Sequence, residues 1–312
     1  MQTTEISFRS GVTKLVGTLT EPTPRGRGPI ALLISGSGKI DRDSNMKRMP
    51  IDVMGQVAAH LEGAGVSSFR YDKRGVGASE GDFSTTGFHD NVTDAKAAIA
   101  SLRDRLQVQE RPMFVVGHSE GALIAAELVA ADSTLAGAVL LAGTATSGED
   151  VLRWQAEGLA KTLPKPVKLI MGLLRQDLAK TQSKRLAQIK ASTDDVIRMQ
   201  FVKVNAKWMR EFMAHDPQET LLRIDLPLLA ITGSKDVQVN PADVERIVEL
   251  AGEDSSGHVL EDVTHLLRSD DGPATVRTYK KQIKRPVDVR VLNMISTWIT
   301  DVAAEVAVES AS

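Results

Sequence analysis

The segment Gly117-His118-Ser119-Glu120-Gly121 has the residue types and the spacing that nucleophilic catalysis by a serine requires. It matches the pattern Gly-x-Ser-x-Gly, in which the serine occupies a sharp turn between a strand and a helix. An apolar run at residues 113–116 directly precedes the segment, and a helical run at residues 122–126 directly follows it. Glycines on both sides of the serine allow neighbouring backbone segments to approach closely. This context predicts that Ser119 is a nucleophile on a strand-to-helix turn.

The same pattern occurs a second time, at Gly77-Ala78-Ser79-Glu80-Gly81. No strand directly precedes this segment, because Lys73-Arg74-Gly75 stands there, and no helical run follows it. Only the structural context of the pattern identifies a nucleophile. We therefore interpret Ser79 as a loop residue.

The elements that must position Ser119 alternate along the chain. Short apolar runs predict strands at residues 4–9, 14–20, 30–34, 66–71, 113–116, 136–141, 227–232 and 258–261. Helical patterns predict helices at residues 53–61 and 90–105, from residue 120 onwards, and at residues 242–250 and 287–304. Strands that are apolar on both faces are typical of a parallel sheet covered by helices on both sides. The sequence predicts an α/β fold with a mostly parallel sheet of about eight strands.

The alternation stops between residues 148 and 222. No buried-strand run occurs there. Apolar residues instead recur at helical spacing, as at Leu169, Ile170, Leu173 and Leu174. We interpret this stretch as a helical insertion.

The turn at Ser119 and the alternating elements together make nearly the whole chain resemble the α/β-hydrolase-fold serine hydrolases. Residues 70–79 resemble the D-x-R-G-x-G-x-S stretch of that superfamily, and Asp41-Arg42-Asp43 is similar to a motif in a subset of its bacterial esterases. The resemblance is to esterase-like and serine aminopeptidase-like members with a helical cap. It implies a core domain formed by residues 1–147 and 223–312, with residues 148–222 as the cap.

The resemblance implies the chain order nucleophile, acid, histidine. Asp236 follows the predicted strand 227–232 and is the expected acid, while His265 follows the strand 258–261 and is the expected base. Asp225 precedes its strand and lies at the wrong end of the sheet, and Asp243 is expected in the first turn of a helix. The expected catalytic triad is therefore Ser119, Asp236 and His265.

The other five histidines fit the role of the base less well. His118 lies inside the turn, too close in sequence to act on the serine, and His258 begins a strand at the opposite end of the sheet. His60 is expected on a helix, His89 in a loop and His215 in the insertion. The last two could still line a pocket.

The resemblance also implies an oxyanion hole made of two backbone N–H donors. One donor is expected from Glu120, the residue after the nucleophile. The other is expected from Ser37, in the loop Ser35-Gly36-Ser37-Gly38. Many family members have His-Gly where this chain has Ser35-Gly36. The residues expected to support the turn itself are Gly117, His118 and Gly121.

These residues predict hydrolysis of small to medium carboxylic esters through an acyl-enzyme, under a cap whose apolar faces select the substrate. Aminopeptidase-like, thioesterase and C–C bond hydrolase activities remain open, because the same fold and triad support them. An aminopeptidase needs an acid near its pocket, for which Glu149, Asp150 and Glu157 are candidates. Haloalkane dehalogenation is excluded, because it needs Asp in place of Ser119. A non-catalytic ligand receptor or scaffold is the least favoured alternative.

Composition limits the other classes of function. The chain has 312 residues, a formal net charge of -2 and no cysteine. The small net charge gives no general attraction to nucleic acid, and the lack of cysteine excludes disulfides, thiolate metal sites and cysteine nucleophiles. His118 and Glu120 have no third ligand near them in the sequence, and the Gly38-Lys39 pair lacks the spacing of a phosphate-binding loop. We expect neither a metal nor a cofactor.

The expected partner is a small-molecule ester or acyl substrate, with no nucleic acid and no membrane span. The first residues, MQTTEISFRS, lack the basic and apolar regions of a signal peptide, and the apolar runs are too short to cross a bilayer. We therefore expect a cytoplasmic location. The oligomeric state is not readable from the sequence.

Overall fold

The strands of the protein follow the predicted order. The computed structural model describes residues 2–23, 28–105, 111–162 and 178–309. In chain order its strands are β1 (Gln2–Ser10), β2 (Thr13–Glu21), β3 (Ile30–Ile34), β4 (Asn45–Met46), β5 (Met49–Pro50), β6 (Ser67–Tyr71), β7 (Met113–His118), β8 (Gly137–Leu141), β9 (Val196–Met199), β10 (Val202–Asn205), β11 (Leu228–Gly233) and β12 (Ser255–Leu260).

Eight of these strands form one sheet in the order β1-β2-β6-β3-β7-β8-β11-β12. The pairings of β2 with β1 and with β6 are antiparallel, and the five pairings from β6 to β12 are parallel. The prediction of a mostly parallel sheet of about eight strands is confirmed. All parallel strands point the same way, so their carboxyl ends meet at one edge.

Helices cover both faces of this sheet. They are α1 (Val53–Gly63), α2 (Phe88–Arg103), α3 (Glu120–Val129), α4 (Gly148–Thr162), α5 (Leu178–Ala191), α6 (Ala206–Ala214), α7 (Pro217–Leu221), α8 (Asp243–Ala251), α9 (Tyr279–Gln282) and α10 (Val289–Glu309). Buried residues of α2, α3 and α8 join the core on one face, and those of α1 and α10 join the core on the other.

Strand β3 shows how the sequence produces the two cores. Ile30, Leu32 and Ile34 belong to the core with α2, α3 and α8. Ala31 and Leu33 belong to the core with α1 and α10. Successive side chains of a strand point to opposite faces, so a strand that is apolar at every position is buried on both sides. This arrangement places the end of β3 inside the protein, beside the end of β7.

The stretch between β8 and β11 contains helices α4 to α7, as expected, and also an antiparallel hairpin of β9 and β10 that the sequence did not indicate. The two residues of its turn, Gln200 and Phe201, both have positive φ, of 48° and 68°. Such turns are usually signalled by Asn-Gly or Asp-Gly, and this turn has neither. Leu169, Ile170, Leu173 and Leu174, whose spacing predicts a helix, lie outside the described residues.

Helix α10 is, within the described ranges, long and apolar enough to cross a membrane by length and composition alone. The window Val289–Val308 has a mean hydropathy of 1.3, and 33% of it is buried inside the protein. Val291, Ile295 and Ile299 form a stripe that packs against the sheet. One apolar stripe on a core is typical of a surface helix in a globular protein. The expectation of no membrane span stays a prediction.

A buried arginine joins three loops at the carboxyl edge of the sheet. Arg268 is the largest of the fully buried side chains. Its guanidinium donates to the carbonyl oxygens of Leu266 at 2.5 Å, Arg285 at 3.0 Å and Ile51. Burial lowers the pKa of Arg268 to about 10, so the group is still charged at neutral pH. The planar guanidinium satisfies all three carbonyls at once, which the single ammonium of lysine cannot do with the same geometry.

We expect Arg268→Lys to lower the free energy of unfolding by about 3 kcal/mol, because it leaves buried carbonyls without a donor. Urea unfolding followed by circular dichroism measures this change. Arg290→Lys is the matched control, because Arg290 pairs with Asp288 on the surface, where its side chain is 47% exposed. Equal stability of the two variants would contradict the structural role of Arg268.

Candidate active site

The turn between β7 and α3 holds Ser119 in a left-handed backbone conformation, with φ 56° and ψ −118°. A side chain at Gly117 would collide with the carbonyl oxygen of Gly121, and a side chain at Gly121 would collide with that of Ile34. Both glycines are therefore required by close backbone packing. A hydrogen bond of 2.9 Å from the Ser119 N–H to the Leu141 carbonyl oxygen fixes the turn further. Such a conformation costs on the order of 1–3 kcal/mol and is typical of functional sites.

Asp236 and His265 come together although they lie on different loops. His265 Nδ1 is 2.7 Å from Asp236 Oδ2, and both side chains are buried. Asp236 Oδ1 accepts hydrogen bonds from the N–H groups of Gln238 at 2.8 Å and Val239 at 3.0 Å. The carboxylate thus has only donors around it, so Nδ1 of His265 carries the proton and Nε2 is the acceptor nitrogen.

The half-buried side chain of Ser119 and the ring of His265 line the same cavity, which has a volume of about 170 Å³. Within the described residues no hydrogen bond joins the Ser119 hydroxyl to the His265 ring. Catalytic hydrogen bonds are often long in structures without substrate. The structure therefore brings all three predicted catalytic side chains to one place, and only the acid and the histidine are in direct contact.

His118 is hydrogen-bonded to the backbone of the loop that carries His265. Its Nε2 donates to the carbonyl oxygen of His265 at 2.8 Å, and the two rings lie 5.0 Å apart. Burial, together with the neighbouring His265 ring, lowers the pKa of His118 to about 3. The His118 ring is therefore neutral at physiological pH, and its hydrogen bond to the carbonyl oxygen places its one proton on Nε2.

The loop after β3 lies directly against the nucleophile. A Cβ placed on Gly36 would be 3.2 Å from the Cβ of Ser119, so a larger residue would fit only if the nucleophile shifted by a few tenths of an ångström. Ser37 lines the cavity beside Ser119. In the part of the chain that the structure describes, neither the N–H of Ser37 nor that of Glu120 has a hydrogen-bond partner. Two unsatisfied donors next to a nucleophile are what an oxyanion hole needs.

Ser35, which stands where many family members have histidine, anchors the far side of the same loop. Its hydroxyl donates to the Asp41 carbonyl oxygen at 3.2 Å and contacts the Ser44 hydroxyl at 2.9 Å. Two ion pairs hold this turn against the end of β6. Arg42 pairs with Asp72 at 2.6 Å, and Asp43 pairs with Arg70 at 2.5 Å. The Asp41-Arg42-Asp43 motif therefore shapes the loop and does not enter the cavity.

The second Gly-x-Ser-x-Gly match lies elsewhere and is structural. The Ser79 hydroxyl donates to the Asp72 carbonyl oxygen at 2.7 Å and accepts from the Val16 N–H at 2.9 Å. Both atoms of this hydroxyl group are used by the backbone of other segments. The interpretation of Ser79 as a loop residue agrees with these contacts.

The remaining candidates of the sequence lie away from the cavity. Asp243 is the first residue of α8 and accepts from the N–H of Ala145 at 3.1 Å. His258 is exposed on β12. His215 and His89 line a separate cavity of about 470 Å³, and His89 is on α2 and not in the loop that we expected. Within the described residues, no group of three or more His, Cys, Asp or Glu side chains could hold a metal ion.

Several cavity residues carry no signal that sequence reasoning could use. The hairpin of β4 and β5 contributes Met46 and Met49, although each strand has only two residues and shows no periodicity. Gln238 and Tyr279 form another wall, where Gln238 Nε2 donates to the Tyr279 hydroxyl at 3.1 Å. These residues come from segments far apart in the chain, so only the fold brings them together.

The acidic residues of the insertion do not line this cavity. Glu149 is neutralised by Arg153 at 2.7 Å and by Lys190 at 2.6 Å. Asp150 and Glu157 are exposed to solvent. In the described part of the chain, the residues that line the cavity of Ser119 include no Asp and no Glu.

Comparisons with known proteins agree with this fold. The family model described as "Serine aminopeptidase, S33" matches residues 50–271. Esterase EstD of Thermotoga maritima is 28% identical over 295 residues, which are 92% of this chain and 66% of the relative, so the chain spans just under two thirds of that relative's length.

Two solved structures share this architecture. Est1E from Butyrivibrio proteoclasticus, solved with ferulic acid bound, superposes with a TM-score of 0.63 at 16% identity and covers 96% of this chain and 98% of its own. The proline iminopeptidase of Mycobacterium smegmatis superposes with a TM-score of 0.62 at 15% identity and covers 97% and 100%. At these identities the likeness shows the fold alone.

The pKa of His118 makes stability depend on pH. The folded value of about 3 lies below the ordinary value of 6.5, so the unfolded chain binds the proton first as the pH falls. The contribution of His118 to the free energy of unfolding is fully present above about pH 6.5. It is lost progressively towards pH 3, by about 1.4 kcal/mol for each pH unit. We expect His118→Gln, which keeps a donor for the His265 carbonyl, to lose about 2 kcal/mol less than the wild type between about pH 7 and pH 5.

Urea unfolding at the two pH values measures this difference. His60→Gln, a histidine of α1 outside the cavity, controls for the loss of a histidine as such. If His118→Gln and His60→Gln have the same acid dependence, His118 is not the titrating group.

Proposed function

The chain belongs to the family described as serine aminopeptidase, S33, within the α/β-hydrolase superfamily, and from this premise we propose that it hydrolyses small to medium carboxylic esters through a covalent acyl-enzyme. The observation that carries the proposal is the contact of Asp236 with His265 under a cavity that Ser119 also lines. This is the arrangement of a nucleophile, a base and an orienting acid. The family resemblance and the named esterase relative support the same choice.

In the proposed reaction His265 acts first as a base. Its Nε2 takes the proton of the Ser119 hydroxyl while the oxygen attacks the ester carbonyl carbon. Asp236 holds the ring in the required tautomer and stabilises the positive charge that forms on it. When the tetrahedral intermediate collapses, the bond to the alcohol breaks and His265 returns the proton to the leaving oxygen. Water then repeats both steps and releases the acid.

The negative charge on the carbonyl oxygen is proposed to lie against the N–H groups of Ser37 and Glu120. Neither N–H has a hydrogen-bond partner among the described residues; Ser37 lines the cavity of Ser119, and Glu120 directly follows Ser119 in the chain. The second belongs to the first residue of α3, so the positive end of the helix dipole adds to its effect. Removing one donor of an oxyanion hole typically raises the barrier by about 3 kcal/mol.

An ester is favoured over a peptide with a free amino end because of the charge of the cavity. An aminopeptidase must stabilise a substrate ammonium group, and a buried cation needs a carboxylate partner. Among the described residues, no Asp and no Glu lines the cavity, and Glu149 is already paired with Arg153 and Lys190. The cavity volume of about 170 Å³ is below the 300–1,000 Å³ range of typical drug-sized ligand sites, which favours small acyl groups.

We further propose that residues 148–222 act as a cap on a core formed by residues 1–147 and 223–312. Two contacts support this division. Gln155 of α4 donates to the Gln238 carbonyl oxygen at 3.2 Å, and Trp208 of α6 reaches the side chain of Glu120. The insertion therefore contacts the loop that carries Asp236 and the first residue of α3, directly after Ser119. The proposed substrate is a small molecule, and the cytoplasmic location stays a prediction.

Ser119→Ala is expected to abolish hydrolysis of p-nitrophenyl acetate and butyrate, because it removes the attacking oxygen. The loss in kcat should be at least about a thousandfold. Ser79→Ala is the matched control, since it changes the serine of the other Gly-x-Ser-x-Gly segment. We expect it to lower the melting temperature through its lost backbone contacts and to retain kcat. Equal turnover by Ser119→Ala and the wild type would refute the assignment of the nucleophile.

The neutral cavity predicts a preference between two substrates that contain the same bond. We expect kcat/KM for the p-nitrophenyl ester of N-acetylalanine to equal or exceed that for the ester of alanine with a free amine. The reason is that no carboxylate among the described lining residues offsets the free-energy cost of removing an ammonium group from water. Steady-state hydrolysis of both esters measures the ratio. A clear preference for the free amine, accompanied by cleavage of alanine p-nitroanilide, would favour the aminopeptidase alternative.

A further inference from the structure

A buried ion pair connects the two segments that carry the proposed oxyanion donors. Lys73 follows β6, and its Nζ donates hydrogen bonds of 2.7 Å to Glu120 Oε2 and 2.7 Å to the Gly36 carbonyl oxygen. The exposed fractions of the side chains are 5% for Lys73 and 1% for Glu120. None of the proposed chemical steps uses either side chain.

The hydrogen-bond partners assign the charges of this pair. Glu120 Oε1 accepts from the Trp208 indole N–H at 2.5 Å and from Asn91 Nδ2 at 3.0 Å. Each partner group, like the Lys73 ammonium on the other oxygen, only donates, so the carboxylate is ionised. The free energy needed to remove two charges from water is about as large as the free energy gained from their attraction. A gain in stability therefore does not by itself explain a buried ion pair.

The position of the ammonium suggests a different reason. The Gly36 carbonyl oxygen belongs to the same planar peptide unit as the Ser37 N–H. A hydrogen bond to that oxygen fixes the plane of the unit and therefore the direction of the N–H. It also polarises the amide, which makes the N–H a stronger donor. The other end of the ion pair is Glu120, whose own N–H is the second proposed donor.

We propose that Lys73 is a positioning residue of the oxyanion hole, whose ammonium orients and polarises the Gly36–Ser37 peptide while Glu120 holds the ammonium in place. This inference rests on the proposed function, because it concerns the oxyanion hole of that reaction. Trp208, from α6 of the insertion, completes the hydrogen bonds of Glu120. The insertion therefore contributes one hydrogen bond to the network behind the hole.

Lys73→Met tests the proposal, because it removes the ammonium and keeps an unbranched side chain that is only one atom shorter. A misdirected donor weakens binding of the transition state and leaves binding of the ester unchanged. We expect kcat for p-nitrophenyl butyrate to fall by about 10- to 100-fold, with KM within about threefold of the wild type. The rate at which a fluorophosphonate labels Ser119 should fall in parallel, because its phosphoryl oxygen occupies the same hole.

Arg74→Met is the matched control. Arg74 is the next residue in the chain, and it also forms an ion pair with a buried carboxylate, that of Asp94, whose side chain is 1% exposed. Its hydrogen bonds within the described residues go to Asp94 and Ser10 and not to the oxyanion loop. We expect Arg74→Met to lower the melting temperature about as much as Lys73→Met and to keep kcat within about twofold of the wild type.

A Lys73→Met protein with the kcat of the wild type would overturn the proposal, and so would equal losses of kcat in Lys73→Met and Arg74→Met, which indicate a purely structural role. If Lys73→Met does not fold, the double variant Lys73→Met with Glu120→Gln replaces both charges by neutral side chains and should show the same loss of kcat. A wild type that neither cleaves esters nor reacts with the fluorophosphonate would contradict the proposed function itself. If the fluorophosphonate labels the wild type but no ester is turned over, the labelling rates of the wild type and of Lys73→Met test the role of Lys73.

Discussion

The candidate site depends on a contact of three backbone segments with no side chain between them. The carbonyl oxygen of Ile34 at the end of β3, Gly117 of β7 and Gly121 of α3 lie so close that only glycine fits at the last two positions. This packing holds Ser119 in its left-handed conformation against a cost on the order of 1–3 kcal/mol. It also sets the distance between the loop after β3 and the first turn of α3, from which the two proposed oxyanion donors come.

The parallel arrangement of the central strands then supplies the other groups. Parallel strands place the loops that follow them at one edge of the sheet. Gly36, Lys73, Ser119, Asp236 and His265 follow or end five different strands, and they meet at this edge although more than two hundred residues separate the first from the last. The antiparallel β1 and β2 extend the sheet on the far side and contribute nothing to the cavity.

The loops of this edge have carbonyl groups that no neighbouring strand can satisfy, and buried side chains satisfy them instead. Arg268 donates to three loop carbonyls, His118 to that of His265 and Lys73 to that of Gly36. A buried backbone carbonyl without a donor is costly, so each of these side chains holds its loop in one conformation. The same hydrogen bonds that satisfy these carbonyl groups therefore also hold the loops of the candidate site in place.

The sequence by itself determined where the eight strands of the main sheet and the turn at Ser119 lie along the chain, and the chain order implied by the family resemblance selected Asp236 and His265. The strands and the turn depend on local patterns of apolar residues and glycines. A strand that is buried on both faces, for example, is apolar at successive positions. The tertiary structure alone decided the link of Lys73 to Glu120 and Trp208, the walls of the cavity and the hairpin of β9 and β10. Glu120 is 47 residues from Lys73 and 88 from Trp208. A contact over such a separation depends on how whole elements pack, and no periodicity within either segment records it.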